Sequence, residues 1–325
     1  MKIAFFTETG STSNYFDRKS SNIRTDTAWK IALNAVDFNL YSDPMEIYDL
    51  GIFIIPKKCE DGNFDLGIWR EHFDQRIKMK LKKVAVMQEG PSHYYQDYRI
   101  PTQIQFLQFL NDADLIFCHN EFDIRYYKGL FPDKTVSVLQ SLMIEDSIPV
   151  LAKKVAQDRI GTIIGGNWVS WYSGQDSYFI AREFREKIFA PSMGRKQEYE
   201  DYLEDIHYLP YMNWSQWMVE LGKKKYAVHL MRTWAAGTFA LNCAYLGIPC
   251  IGYNQLDSQR ICFPELSVDL GDLEKARKIA KHLKENDLFY DHCSEYAKKA
   301  YYDNFREEIF MNKVKQSIGE LEWPV

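Results

Sequence analysis

The sequence lacks several features that would fix its class at once. Its six cysteines, Cys59, Cys118, Cys243, Cys250, Cys262 and Cys293, form no C-x-x-C pair and no Cys/His ligand spacing. That argues against a structural zinc site and a dithiol redox motif. Several of the cysteines fall inside apolar runs, which predicts reduced, mostly buried thiols in a cytoplasmic protein. No apolar run approaches the roughly 18 residues a membrane-spanning helix needs. The opening MKIAFF has the length of a strand, without a charged n-region or a small-residue cleavage site, so no secretory leader and no membrane partner are expected. Basic charge is short as well. With 40 Lys and Arg against 45 Asp and Glu, the formal net charge is -5, which argues against a protein that coats nucleic acid non-specifically. A local basic groove remains open, and WREHFDQRIKMKLKK (69–83) is the candidate. The plainer reading of that stretch is a solvated helix face.

What is present is globular. Hydrophobic residues make up 46% of the 325 residues and charged residues 26%, and no long polar stretch suggests disorder. The length predicts two domains of ordinary size. Aromatics reach 15%, with 8 Trp and 21 Tyr. Part of that surplus belongs in cores, but aromatics also line clefts that bind rings and sugars.

Along the chain, strand-like apolar runs alternate with helical spacing. KIAFF (2–6), LGIFIIP (50–56), KKVAVMQE (82–89), ADLIFCHN (113–120) and TVSVL (135–139) read as strands. Helices are predicted over 27–36, 101–112 and 121–130. The run PVLAKKVAQDR (149–159) is a mixed bridge, after which the pattern restarts. IGTIIGGN (160–167), KIFAPS (187–192), IHYLP (206–210), YAVHLM (226–231), IPCIGY (248–253) and LSVDL (266–270) read as strands. Helices are expected over 176–187, 213–222, 238–246 and 272–284, and the rest of the chain reads as helical. Continuous apolar strands alternating with helices imply parallel sheets. The expected architecture is therefore α/β, with two Rossmann-like domains over 1–150 and 151–325. Ligands in such sheets sit beyond the carboxyl ends of the strands, and the cleft between two such units is the default site.

Polar and glycine-rich residues collect at those predicted ends. They include Glu8, Glu89, His119, Gly165, Gly166, Asn167, Arg195, Tyr211, Met212 and the stretch from Arg232 to Thr238. In RTWAAGTFALNCAYLGIPCIGY (232–253), Gly237 and Thr238 open an apolar helix. A helix start presents free N–H groups and the positive dipole end. Glycine admits an anion closely, threonine can cap or donate, and Arg232 offers a forked guanidinium. A capped helix with an ion-paired arginine explains the same residues.

From Gly161 to Asp287 the order of elements resembles the donor-binding half of GT-B glycosyltransferases. IIGGN is similar to the first strand and loop of that half, and FAPSMGR to the strand ending in a glycine turn. IHYLPYMNWSQWMVEL is similar to the stretch flanking the nucleobase. YAVHLMRTWAAGTFALNCAYLGIPCIGY is similar to the signature strand, diphosphate loop, helix and Gly-x-Pro strand, and DLGDLEKARKIAKHL to the closing helix. The resemblance implies Arg232, Gly237 and Thr238 at the phosphates, the nucleobase near Tyr211 and Met212, and Gly166, Asn167 and Arg195 in the same donor site. Many members carry a Glu at the position of Asn242, holding the donor ribose, and another at that of Trp234, near the sugar. Here Asn242 can still hydrogen-bond a hydroxyl, whereas Trp234 cannot do a carboxylate's work. Over most of the chain, MKIAFFTETG, RTDTAWKIAL, VMQEGPSHYYQDY and GGNWVSWYSG, with the signature stretch, resemble glycosyltransferases of T4-like tailed phages. That resemblance implies a nucleotide-sugar donor such as a UDP-sugar. It also implies double-stranded DNA containing 5-hydroxymethylcytosine as an acceptor and the host cytoplasm as the setting. An acceptor-side first domain, a nucleotide-sugar-binding second domain and terminal helices that cross back to the first are implied too. The same resemblance leaves open a glycan or small-molecule acceptor, a GT-B-like sugar-nucleotide epimerase and a noncatalytic binding protein.

Glycosyl transfer requires a stabilised diphosphate, a held sugar and a base for the acceptor hydroxyl. GT-B members usually work without a metal, in keeping with the lack of a DxD pair at an obvious strand end. Asp26 in RTDTAW and Glu89 in MQEGP are the candidate bases. Asp26 serves equally as the first-turn acid of a helix capped by Thr25. His93 reads as a surface or stacking residue, with contact to a base or sugar as the alternative, His229 as a satisfied core histidine, and His119 is undecided. The tract NWVSWYSGQD (167–176) is either a sugar or base platform or packing between domains.

Overall fold

The computed structural model describes residues 1–12, 16–23, 25–57, 64–154, 158–166, 168, 172–191 and 203–319. In chain order the elements are β1 Ile3–Thr7, α1 Thr25–Leu33, β2 Val36–Asn39, β3 Tyr48–Ile55, α2 Leu66–His72, β4 Leu81–Gln88, α3 Ile100–Asp112, β5 Leu115–Cys118, α4 Glu121–Leu130 and β6 Thr135–Val138. They continue with α5 Val150–Lys154, β7 Thr162–Ile164, α6 Gly174–Ala181, β8 Ile188–Pro191, β9 Ile206–Leu209, α7 Trp214–Gly222, β10 Tyr226–His229, α8 Thr238–Leu246 and β11 Cys250–Tyr253. The last are α9 Asp257–Cys262, β12 Ser267–Val268, α10 Leu273–Glu285, α11 Asp287–Asn304 and α12 Glu307–Ile318. The chain forms two compact units. One comprises Met1–Asp17, Asp26–Gln140 and Glu307–Val325; the other comprises Arg18–Thr25 and Ser141–Arg306. Each contains a six-stranded sheet in which all pairings are parallel, as the alternating pattern predicts.

In the first unit the strand order is β2-β1-β3-β4-β5-β6. The runs read as continuous in sequence are buried on both faces: all five residues of β1 and the last five of β4 are buried. An aromatic cluster of Phe53, Trp69, Phe73 and Phe109 packs edge to face on one side of the sheet. The helix predicted over 27–36 stops early. Asn34 takes φ 48°, the N–H of Ala35 reaches back to Lys30 O at 3.0 Å, and Val36 begins the edge strand β2. That strand has a polar spelling, VDFN, because Asp37 is buried against a lysine of the preceding helix. Lys30 Nζ lies 2.7 Å from its carboxylate, with both side chains about 5% exposed or less. Thr25 is the first residue of α1 rather than a cap ahead of it.

The basic stretch 69–83 is partly paired, with ion pairs at three of its six Lys and Arg residues among the described ones. Trp69 is fully buried, and its indole donates to Leu40 O. Arg70 pairs with Asp74 and Asp112, Arg76 with Asp43, and Lys82 with Asp49. Charges neutralised in this way favour the solvated-face reading.

In the second unit the order is β12-β11-β10-β7-β8-β9. Counting the strands within the unit and starting from the β9 edge, this is 3-2-1-4-5-6. It is the dinucleotide-binding order, and it reverses direction between its first and fourth strands, β7 and β10. Helix α8 is bounded by two glycines in left-handed conformation, Gly237 and Gly247. Seven of its nine residues are buried. The mixed bridge over 149–159 contains the short α5, and α9 was not apparent in the pattern. The five described cysteines are buried and unbridged. Among the described residues no helix is long and apolar enough to cross a membrane.

Candidate functional site

A cavity of about 560 Å³ opens in the second unit at the carboxyl ends of β7 and β10. This is the crevice that the strand order designates for ligands. Gly165 follows β7 and is tied to the next strand by its N–H, which donates to Val228 O at 2.8 Å. The other walls are Pro191 of β8, Pro210, Tyr211 and Met212 after β9, Trp214 and Trp217 of α7, His229 and Met231, and residues 235–239 with Asn242. Asn22, Ile23 and Thr25 contribute from the short segment that belongs to this unit.

The mouth of α8 faces this cavity. Gly237 adopts φ 69° and ψ 26°, and no side chain caps the helix. A Cβ at Gly237 would stand 2.4 Å from Ser258 Oγ, whose hydroxyl donates to Gly237 O at 2.8 Å. Thr238 Oγ1 is 3.0 Å from Thr25 Oγ1 and 3.3 Å from Ser141 Oγ. The start of α8 therefore combines open N–H groups, the positive dipole end and hydroxyls, which is the chemistry of an anion seat.

Arg232 sits in the loop between β10 and α8 and forks onto Asp176 of α6, with Nε 3.0 Å from Oδ2 and a terminal nitrogen 3.3 Å from Oδ1. Tyr253 donates to the same carboxylate at 3.0 Å. Hydrogen bonding and charge from Asp176 hold the guanidinium pKa above its ordinary value. Burial, with the Asp176 charge added, pushes the Tyr253 phenol up to about 12. The loop is pinned further by the N–H of Leu230, which donates to Ser177 Oγ at 2.9 Å. Arg232 is thus an ion-paired residue whose side chain is still 61% exposed.

Asn242 is 3% exposed. With its amide nitrogen turned to Thr238 O at 2.9 Å, its oxygen accepts from the Trp217 indole at 3.1 Å. Tyr211 is exposed and Met212 half-buried, and both line the cavity. A Cβ on Gly166 would meet Tyr172 Cβ at 2.8 Å, so that glycine lets the tyrosine lie against the backbone. The tract 167–176 divides: Tyr172 faces the cavity, whereas Trp168 packs on the core near Tyr178, with ring centroids 5.5 Å apart. Trp234 is half-buried. Asn167 and Arg195 lie outside the described residues. Asp26 and Glu89 belong to the first unit. Asp26 is in the first turn of α1, 3.4 Å from Lys30 Nζ. Glu89 is exposed just beyond β4, with its N–H on Ile55 O.

His229 corrects the expectation of a satisfied core histidine. It is 4% exposed and ends β10, but neither ring nitrogen has a hydrogen-bond partner among the described residues. Its ring borders the cavity. Burial pushes its pKa down to about 4. Sequence reasoning also missed Asp176, Trp217 and Tyr253. His93 is exposed beside Tyr94, and His119 is buried at the end of β5, stacked on Trp29 at 5.9 Å.

Two parallel sheets of this kind define the GT-B fold, and solved structures agree. Sucrose-phosphate synthase from Thermosynechococcus elongatus superposes with a TM-score of 0.61 at 11% identity, over 83% of this chain and 72% of that one. TarM of S. aureus, in a complex that includes UDP, gives 0.61 at 9% identity, over 83% of this chain and 55% of its own. An alpha-glucosyltransferase in complex with UDP and a 13-mer DNA containing an HMU base gives 0.61 at 13% identity, over 98% of this chain and all of that one. The chain therefore spans about half of TarM but the whole of the alpha-glucosyltransferase. No family model and no curated protein matches the sequence.

Proposed function

We propose that the protein is a glycosyltransferase that moves a sugar from a nucleoside diphosphate, a UDP-sugar, to a hydroxyl group. The observation that carries this reading is the uncapped start of α8, with Gly237 and Thr238, opening into an aromatic-lined cavity at the switch point of the second unit's sheet. The diphosphate sits on the N–H groups of α8. Tyr211 and Met212 flank the base, with Gly166, Asn167, Arg195 and Asn242 completing the donor site. In transfer, the acceptor oxygen bonds to the anomeric carbon as the bond to the diphosphate breaks. The electron pair leaves with the phosphate, stabilised by the helix dipole and Arg232 in place of a metal. The hydroxyl proton passes to a carboxylate, for which Asp26 and Glu89 are the candidates.

The acceptor we propose is 5-hydroxymethylcytosine in double-stranded DNA, acted on in the cytoplasm of a phage-infected host. Support comes from the phage resemblance in sequence and from the likeness, over nearly the whole chain, to an alpha-glucosyltransferase solved with UDP and HMU-containing DNA. The test is transfer of radiolabelled sugar from UDP-glucose and other UDP-sugars to DNA with and without hydroxymethylcytosine, and to free glycans. Incorporation confined to the hydroxymethylated DNA supports the acceptor, and incorporation into glycans alone moves it. One observation favours a second reading, a noncatalytic nucleotide binder: Trp234 and Asn242 stand where related enzymes carry two carboxylates. UDP binding without transfer to any acceptor would establish that alternative.

A further inference from the structure

None of the described residues lining the cavity of the second unit is Asp, Glu, Lys or Arg. Among these lining residues an anion meets the start of α8, hydroxyls and one imidazole; Arg232 stands outside the lining, on Asp176. That imidazole, His229, is almost completely buried, with both nitrogens unpartnered among the described residues. Buried polar side chains are ordinarily hydrogen-bonded, and an unpartnered imidazole on the wall of a cavity, its nitrogens closed to water, calls for a ligand that a turn of the ring can meet. The position of His229 narrows what that partner is. It is the last residue of β10, at the switch point. One side of its ring lies where a Cβ on Gly165 would stand, and the other faces Phe239 in the first turn of α8, with ring centroids 5.0 Å apart. Pro191, Pro210, Tyr211 and Met212 come from the β8 and β9 side of the sheet. His229 is on the α8 side, where the helix start draws negative charge.

We infer that His229 is a ligand-binding residue of this cavity, its imidazole donating a hydrogen bond to the diphosphate of a nucleoside diphosphate seated on the start of α8. The inference rests on the donor-site reading and adds to it the group that recognises charge from the sheet side. Either tautomer of the neutral ring keeps one N–H to donate.

The experiment is calorimetric titration of the full chain with UDP and with uridine, for the wild type, His229→Leu and His229→Gln, alongside thermal unfolding. His229→Leu is expected to weaken UDP by about 10-fold or more while leaving uridine within about 2-fold, and His229→Gln to recover part of the loss. Unchanged UDP affinity in folded His229→Leu overturns the inference. So does an equal loss for UDP and uridine, because the ring would then shape the cavity rather than meet phosphate. If His229→Leu does not fold, His229→Gln and His229→Asn decide on the same ratio. A wild type that binds neither probe overturns the donor-site reading and this inference with it, an outcome distinct from variant insensitivity.

Discussion

The ring of His229 occupies the space in which a side chain on Gly165 would begin: a Cβ there would lie 2.5 Å from His229 Cδ2 and 2.6 Å from Cγ. The two residues end adjacent strands of the second unit, so neither backbone can retreat without breaking the pairing of β7 with β10. Gly165→Ala must therefore push the imidazole off its seat. A stability loss of about 1–3 kcal/mol is expected from overpacking, with a parallel loss of UDP affinity. In a His229→Ala background the same substitution is expected to cost less, because Cδ2 and Cγ are gone while the Cβ of residue 229, 2.8 Å away, stays, a coupling of about 1 kcal/mol or more. Urea denaturation of the four proteins measures it, and additive effects would contradict the contact.

Asp176 and Arg232 form a second coupled pair, but the two partners are not equivalent. Arg232 is mostly exposed, whereas Asp176 is 9% exposed and also accepts the Tyr253 hydroxyl. Arg232→Ala is expected to cost less than about 1 kcal/mol of stability. Asp176→Ala orphans a buried phenol and is expected to cost about 1–3 kcal/mol. If Arg232 serves the donor phosphates, its removal weakens UDP far more than it weakens folding. Unchanged UDP affinity with an intact melting curve would take Arg232 out of the donor site.

These pairs show what is legible in a sequence and what is not. Helix α8 is bounded correctly from the sequence because Gly237 and Gly247 punctuate it at both ends, and β4 is found, one residue off at each end, because its apolar run is buried on both faces. Strand β2 is hidden because Asp37 reads as polar, and its pairing with Lys30, seven residues earlier on α1, shows only once helix and strand pack. His229 has apolar neighbours in sequence, which predicts burial correctly. Whether its nitrogens find partners is a property of three strands and a helix brought together. Asp176 stood in a polar tract with no mark of its pairing to Arg232, 56 residues away. Local pattern reports burial and periodicity, whereas the chemistry of this cavity depends on contacts between distant segments.

Gly237 tests the entrance of α8. Its φ of 69° is in the region that side chains avoid, and a Cβ there would stand 2.4 Å from Ser258 Oγ. Gly237→Ala combines a left-handed penalty of about 1–2 kcal/mol with that clash. A Ser258→Ala background is expected to relieve the clash and leave the backbone penalty. A destabilisation unchanged by Ser258→Ala would assign the whole effect to the backbone. Complete relief would show that φ at this position is easily shifted.

Two buried histidines predict the acid limb of stability. Burial holds His229 and His119 each at about 4, one in each unit, against about 6.5 in an unfolded chain. Between those values the unfolded state binds the extra proton, so stability falls as pH drops through this window and is flat above it. The slope per histidine approaches about 1.4 kcal/mol per pH unit, which accumulates to roughly 3 kcal/mol by pH 4. His229→Leu is expected to flatten the urea midpoint against pH for the second unit, and His119→Leu for the first. Identical slopes in wild type and variant would mean that the imidazole titrates normally in the native state. Saturating UDP is expected to shrink the part due to His229, because a phosphate beside the ring favours its charged form. It should leave the part due to His119 unchanged, since no anion seat is assigned there.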